Sequence, residues 1–139
     1  MKITEIVRVD SKGRITIPMV IRETLGIVEG MYVILMADSE KKEILVAPLV
    51  PPKAKLVEIH VQMIDKPGAL AEVAEKLAKM GVDLIISKCS TIKRGELAEC
   101  TLIADISESP KDTEGLRQEI ALMPIVKYVA MREIKHSLE

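Results

Sequence analysis

Residues 8–26 read RVDSKGRITIPMVIRETLG, and this stretch decides the fold of the first part of the chain. Two short apolar segments, Ile3 to Val9 and Arg14 to Ile17, flank the polar connection Asp10-Ser11-Lys12-Gly13 and are predicted to be strands. Asp and Ser open turns through local side-chain hydrogen bonds, and Gly13 supplies the positive φ that closes one. Pro18 ends the second segment and suits the start of a helix, where its missing N–H is no loss. Val20, Ile21 and Leu25 give that helix one apolar face, and Gly26 stands where a helix stops. A hairpin with one short helix is too small to bury its own apolar surface. It needs a partner, within the chain or in another copy.

Charge is unevenly placed around this stretch. Residues 1–22 carry Lys2, Arg8, Lys12, Arg14 and Arg22 against Glu5 and Asp10, a net of +3, whereas residues 23–50 carry a net of −3. Two readings fit. One is a solvated turn on an ordinary small β domain; the other is a face that meets a polyanion.

The run VDSKGRITIPMVIRETLGI, followed by Glu29-Gly30-Met31-Tyr32-Val33-Ile34-Leu35, resembles the AbrB/MazE/SpoVT swapped-hairpin domain over roughly residues 3 to 50. The resemblance implies an intertwined homodimer that lays a basic surface on double-stranded DNA. It places Arg8, Lys12, Arg14 and Arg22 at that surface. One position departs from the AbrB branch: Glu23 follows the helix arginine where a second basic residue is common, so site choice is expected to differ.

After Gly26, Met31 to Ala37 and Glu43 to Ala47 are β-prone runs separated by the polar Asp38–Lys42 segment. Pro48, Pro51 and Pro52 then exclude regular structure and make a short semi-rigid spacer. The expected organisation is a DNA-binding domain at 1–50, a proline-rich linker at 51–55 and a second domain at 56–139.

That second part reads β-α-β-β-α-β. Leu56 to Ile64 alternates apolar and polar residues. A helix from Ala69 to Met80 carries the stripe Leu70, Val73, Ala74, Leu77 and Met80, with Glu72–Lys76 and Glu75–Lys79 spaced as i,i+4 pairs. Val82 to Ile92 and Leu97 to Ile106 form a hairpin about Lys93–Glu96. Ser109-Pro110 is expected to cap a helix in which Leu116 and Ile120 face inward, and Ile125 to Ile134 is the last strand. The fold class is therefore α+β: a swapped-hairpin β domain followed by a ferredoxin-like sheet with two helices on one face.

At the Asp65-Lys66-Pro67-Gly68-Ala69-Leu70 junction, Pro67 and Gly68 suit the central positions of a type II turn. The helix behind them offers backbone N–H groups that favour a carboxylate, and Asp65 is placed to take an ammonium group. A plain strand-to-helix turn reads the same way. DKPGAL, followed by AEVAEKLAKMGVDL and a long hairpin, resembles the ACT domain over residues 56 to 135. That resemblance implies paired domains that bind a small effector, most often an amino acid, through Asp65, Gly68, Ala69 and Leu70 with Asp83 and Leu84 opposite. Met63 stands where some members carry a polar side chain, which points to an apolar ligand.

A register in which paired numbers sum to 189 sets Cys89 opposite Cys100 on one sheet face. Two small residues beside Thr91, Ala98 and Leu102 are expected to stay reduced, with a redox switch as the alternative. His60 lies on the other alternation of its strand and His136 near the end of the chain, so no metal site is expected. Neither is a cofactor or a catalytic residue: phosphate-loop, HExxH and CxxC motifs are absent, as is a nucleophile–histidine pair. At 139 residues, 29% charged and without an 18-residue apolar run or a signal-peptide start, the chain is expected in the cytoplasm with no membrane contact. The function these features imply is a DNA-binding regulator, dimeric or larger, whose second domain senses an amino acid. The alternatives are an antitoxin-like protein-binding module and an amino-acid-sensing regulatory subunit without DNA binding.

Overall fold

The computed structural model describes residues 1–48 and 54–134, which fall into two compact units, Met1–Pro52 and Lys53–Glu139. The linker expected at 51–55 lies mostly outside the described residues, as does His136.

The first unit contains helix α1 (Met19–Leu25) and an antiparallel ribbon of β1 (Val33–Asp38) and β2 (Glu43–Pro48), with Val33 opposite Pro48 and Asp38 opposite Glu43. The turn ahead of α1 forms as its sequence dictates. Asp10 N–H donates to the Arg14 carbonyl at 2.9 Å, Gly13 N–H donates to the Asp10 carbonyl at 3.1 Å, and Gly13 sits at φ 79°. Pro18 stands at the N-cap of α1, its carbonyl accepting from Ile21 and Arg22, and left-handed Gly26 ends the helix at φ 71°. The two strands expected at 3–9 and 14–17 do not form within the chain. Beyond the turn these arms find no ladder, and an extended segment becomes a strand only when its N–H and C=O groups are paired.

The same incompleteness shows in the packing. None of residues 1–48 is buried; Ile6 is 97% exposed, Leu35 65% and Ile44 68%. Fully burying one such side chain contributes roughly 1.5–3 kcal/mol. Fourteen large apolar side chains of residues 1–48 are exposed, which is a large unrealised stabilisation, and these residues have no core of their own.

The second unit is built differently. Strands β3 (Leu56–Met63), β4 (Asp83–Lys93), β5 (Leu97–Asp105) and β6 (Val126–Glu133) form one antiparallel sheet in the order β4-β5-β3-β6. Period-2 alternation on β3 sends Val57, Ile59, Val61 and Met63 inward, where they meet Leu102 and Ala104 of β5 and Val129 of β6. Helix α2 (Ala69–Lys79) adds Val73 and Leu77, and α3 (Thr113–Ala121) adds Leu116 and Ile120. All side chains of this core are apolar.

Three local expectations need correction. Leu70 is on the rim of the α2 stripe, 36% exposed. Glu75–Lys79 pairs as expected at 3.2 Å, whereas Glu72 meets Lys66 and Lys76 meets Glu119 on α3. The cap of α3 is Asp112, which accepts the Gly115 N–H at 2.8 Å; Ser109 instead closes its own small turn by accepting from Lys111. An Asp side chain satisfies one of the open donors of the first helical turn and places negative charge at the positive end of the helix, which Ser-Pro does less well.

The hairpin register is the one expected from Ile86 through Thr91, with Cys89 opposite Cys100, and it shifts at Leu84/Ile86 and Thr91/Lys93. The two cysteines are not reduced, however. With Cα atoms 4.1 Å apart on one sheet face, their sulfurs are joined in a disulfide. The register brings the two sulfurs within bonding reach, and the expectation of reduced thiols rested on the surroundings of the chain rather than on its geometry.

Candidate nucleic-acid interface and effector recess

The basic positions of the first unit are all exposed, but they are not equivalent. Asp10 organises the turn: its Oδ1 accepts the N–H groups of Lys12 and Arg14, each at 2.9 Å, and its Oδ2 accepts from Arg14 Nε at 2.8 Å. The Arg14 N–H and guanidinium, joined by the Lys12 N–H, hold the Asp10 carboxyl below its ordinary range against a weaker opposing desolvation. Arg14, one of the four positions expected at DNA, thus carries an anionic partner already. Arg8, Lys12 and Arg22 form no ion pair among the described residues. Arg22 projects from α1 with Glu23 beside it. Three exposed cations, one on the turn, one ahead of it and one on α1, can contact phosphates, which positions a protein on a duplex without reading sequence.

In the second unit, the Asp65–Leu70 corner folds as a type II turn: Ala69 N–H donates to the Lys66 carbonyl at 3.2 Å, and Gly68 lies at φ 86°, ψ −5°. Nothing stands within 4 Å of a Cβ added at Gly68, so the corner is open to solvent. Asp65 is committed elsewhere. Its Oδ2 accepts the Gly95 N–H at 2.7 Å, and Thr91 Oγ1 lies 3.5 Å from its Oδ1. The carboxylate therefore ties the β3–α2 loop to the tip of the β4–β5 hairpin. Sequence reasoning missed this link, although the Lys93–Glu96 turn needed an acceptor for a glycine N–H and an aspartate was the nearest candidate by topology.

A recess of about 180 Å³ joins Met63, Asp65, Ala69 and Leu70 to the disulfide of Cys89 and Cys100. Asp83 and Leu84 are not part of it. Asp83 opposes Asp105 at the far end of β4, and eight residues of strand separate it from Thr91, roughly 25 Å. On the opposite face of the sheet, a groove holds His60, Lys88, Cys89 and Ser90; His60 Nδ1 lies 3.5 Å from Glu99, and its Nε2 lies 3.3 Å from Thr101 Oγ1. Among the described residues no helix is long and apolar enough to cross a membrane.

Taken together, the first unit is a coreless β domain with an exposed basic turn. Residues 6–54, nearly the whole of this unit, match the model of a family described as antidote-toxin recognition MazE, bacterial antitoxin. The match covers about a third of the chain. No curated protein matches the sequence. Among solved structures, the C-terminal domain of the MgtC protein from Mycobacterium tuberculosis is 14% identical with a TM-score of 0.47, over 64% of this chain and 97% of that one. A chain of the complex between the chemotaxis kinase CheA P2 domain and the response regulator CheY from Thermotoga maritima is 18% identical with a TM-score of 0.39, over 57% and 99%. Likenesses this loose carry no functional argument.

Proposed function

We propose that the chain is a DNA-binding regulator in which the MazE-like unit forms an intertwined dimer on DNA and the second unit is an ACT-like sensor of a small effector. The observation that carries the DNA reading is the exposed trio Arg8, Lys12 and Arg22 around an ordered turn, on a domain that matches a MazE model. The absence of a buried residue in 1–48 supports the dimer, because a second copy offers both a ladder for the extended arms and cover for the apolar surface. Arg14→Ala together with Arg22→Ala is expected to abolish most DNA binding in gel shifts while leaving the chain assembled; unchanged shifts would remove Arg14 and Arg22 from the DNA face.

The sheet order β4-β5-β3-β6 with helices α2 and α3 on one face supports a ferredoxin-like, ACT-type arrangement. Support for the effector is the recess beside Met63, Ala69 and Leu70, which suits an apolar side chain. In this reading Asp83 and Leu84 would reach that corner from a second copy. An apolar amino acid is expected to raise the melting temperature, and no shift at millimolar concentration would leave the unit a pairing module. The reading is of a cytoplasmic, non-enzymatic protein. Toxin recognition is the competing function, favoured by the family description and by the uncovered β1–β2 ribbon. Coupling between the effector and DNA would have to be reciprocal: whatever factor the effector applies to DNA affinity, DNA applies to effector affinity.

A further inference from the structure

The bond between Cys89 and Cys100 joins two sulfurs in very different surroundings. Cys100 is buried in the apolar core at 1% exposure, between β3 and β4, whereas Cys89 is exposed on β4, the edge strand of the sheet. Strands β4 and β5 are already held by a ladder on either side of this pair, so the bond adds no topology to the fold. Cys89 also borders the recess with Asp65 and Leu70, on the sheet face that its side chain shares with Cys100. A reagent entering that recess finds Cys89, the exposed member of the pair, more accessible than buried Cys100.

We propose that this disulfide is a thiol–disulfide exchange site for low-molecular-weight thiols, with Cys89 the sulfur attacked and Cys100 the leaving thiolate. A small thiolate attacks Cys89 Sγ. The Cys89–Cys100 bond breaks, a mixed disulfide forms on Cys89, and the electron pair leaves on Cys100, which takes a proton from water. A second small thiolate attacks the added sulfur, releasing Cys89 as a thiolate and the small molecule as its own disulfide. Two electrons pass from two thiols to the protein. Access selects the sulfur attacked, because exchange needs the nucleophile in line with the S–S bond and the core closes that path at Cys100. The group carried by the mixed disulfide lies at the mouth of the Asp65–Leu70 recess. The proposal does not rest on the effector reading, since it stands whether or not that recess holds a ligand.

The test uses the full chain, folded and oxidised, exposed briefly to 2-mercaptoethanol and quenched in acid. Peptide mapping is expected to find the adduct on Cys89 with Cys100 free. Separately, Cys100→Ser, which leaves Cys89, is expected to react with a small disulfide reagent at least about tenfold faster than Cys89→Ser, which leaves Cys100. Should either variant fail to fold, the wild-type adduct decides alone. Adducts shared equally by both cysteines, adducts on Cys100, or a bond that resists the thiol until denaturant is added would each overturn the proposal. So would a native chain whose two thiols stay free under mild oxidant.

Discussion

Asp65, just past the end of β3, accepts the backbone N–H of Gly95 at 2.7 Å across thirty residues of chain, so one carboxylate fixes both the turn into α2 and the tip of the β4–β5 hairpin. This relationship changes how substitutions at Asp65 are to be read. Asp65→Ala removes a structural acceptor as well as any ligand partner, and a hydrogen bond to a charged group contributes about 1.5–3 kcal/mol, less at an exposed site. For a domain of this size each kcal/mol corresponds to about 4–8 °C. Asp65→Ala is expected to lower the melting temperature of the second unit by several degrees, and Asp65→Asn, whose amide oxygen can still accept from Gly95, by clearly less. Equal melting curves for the two variants would show that the contact stabilises nothing.

Gly81, which turns the chain from α2 into β4, is a sharper case. It sits at φ 79°, and a Cβ there would stand 2.9 Å from the carbonyl oxygen of Glu108. Gly95 has the same φ with nothing within 4 Å. Left-handed strain alone costs about 1–2 kcal/mol. Gly95→Ala should lose about that much in denaturant unfolding, and Gly81→Ala should lose more because backbone must also move. Equal losses would mean that the Glu108 loop yields freely.

The legible part of this fold was the part whose partners are local or periodic. Alternation on β3, the 3.6 spacing of Val73 and Leu77, Pro18 and Gly26 around α1, and the pairing of Cys89 with Cys100 follow from short-range rules. Residues 3–9 and 14–17 carry the apolar content of strands, yet content does not supply a ladder, and among the described residues no segment pairs with them as a strand. The recess was half legible. Composition marked Asp65 to Leu70, but the Gly95 N–H that engages Asp65 depends on a sheet order no local pattern encodes. The placement of Asp83 and Leu84 opposite that corner came from family resemblance, and within one chain β4 carries them away from it.

The uncovered surface of the first unit predicts its assembly. Residues 1–50 expressed alone should be a dimer by light scattering, with unfolding that shifts to higher denaturant as protein concentration rises. Bringing two chains together costs an estimated 4–15 kcal/mol. Fully burying six of the exposed aliphatic side chains would contribute roughly 9–18 kcal/mol, enough to offset it. A folded, concentration-independent monomer would contradict the swapped-hairpin reading.

Arg14 and Asp10 give the most discriminating test of the DNA face. The carboxylate beside Arg14 competes with any phosphate for its guanidinium, so removing that charge without removing the turn should improve DNA binding. Asp10→Asn does this, because an amide oxygen can still accept from the N–H groups of Lys12 and Arg14. Tighter binding at low salt is expected, with a steeper dependence on salt concentration as one more phosphate is neutralised per chain. Asp10→Ala, which also loses the turn acceptor, should bind more weakly than Asp10→Asn. The pH behaviour follows from the lowered carboxyl. Its folded value lies below the unfolded one, so its contribution to the turn is complete above the ordinary carboxylate range near pH 4 and is lost as pH falls through the lower folded value. Between pH 5 and 9 the Asp10 carboxylate should therefore leave DNA affinity unchanged. If Asp10→Asn binds DNA no better than the native chain at any salt concentration, Arg14 does not meet phosphate, and the contact face must be rebuilt around Arg8, Lys12 and Arg22.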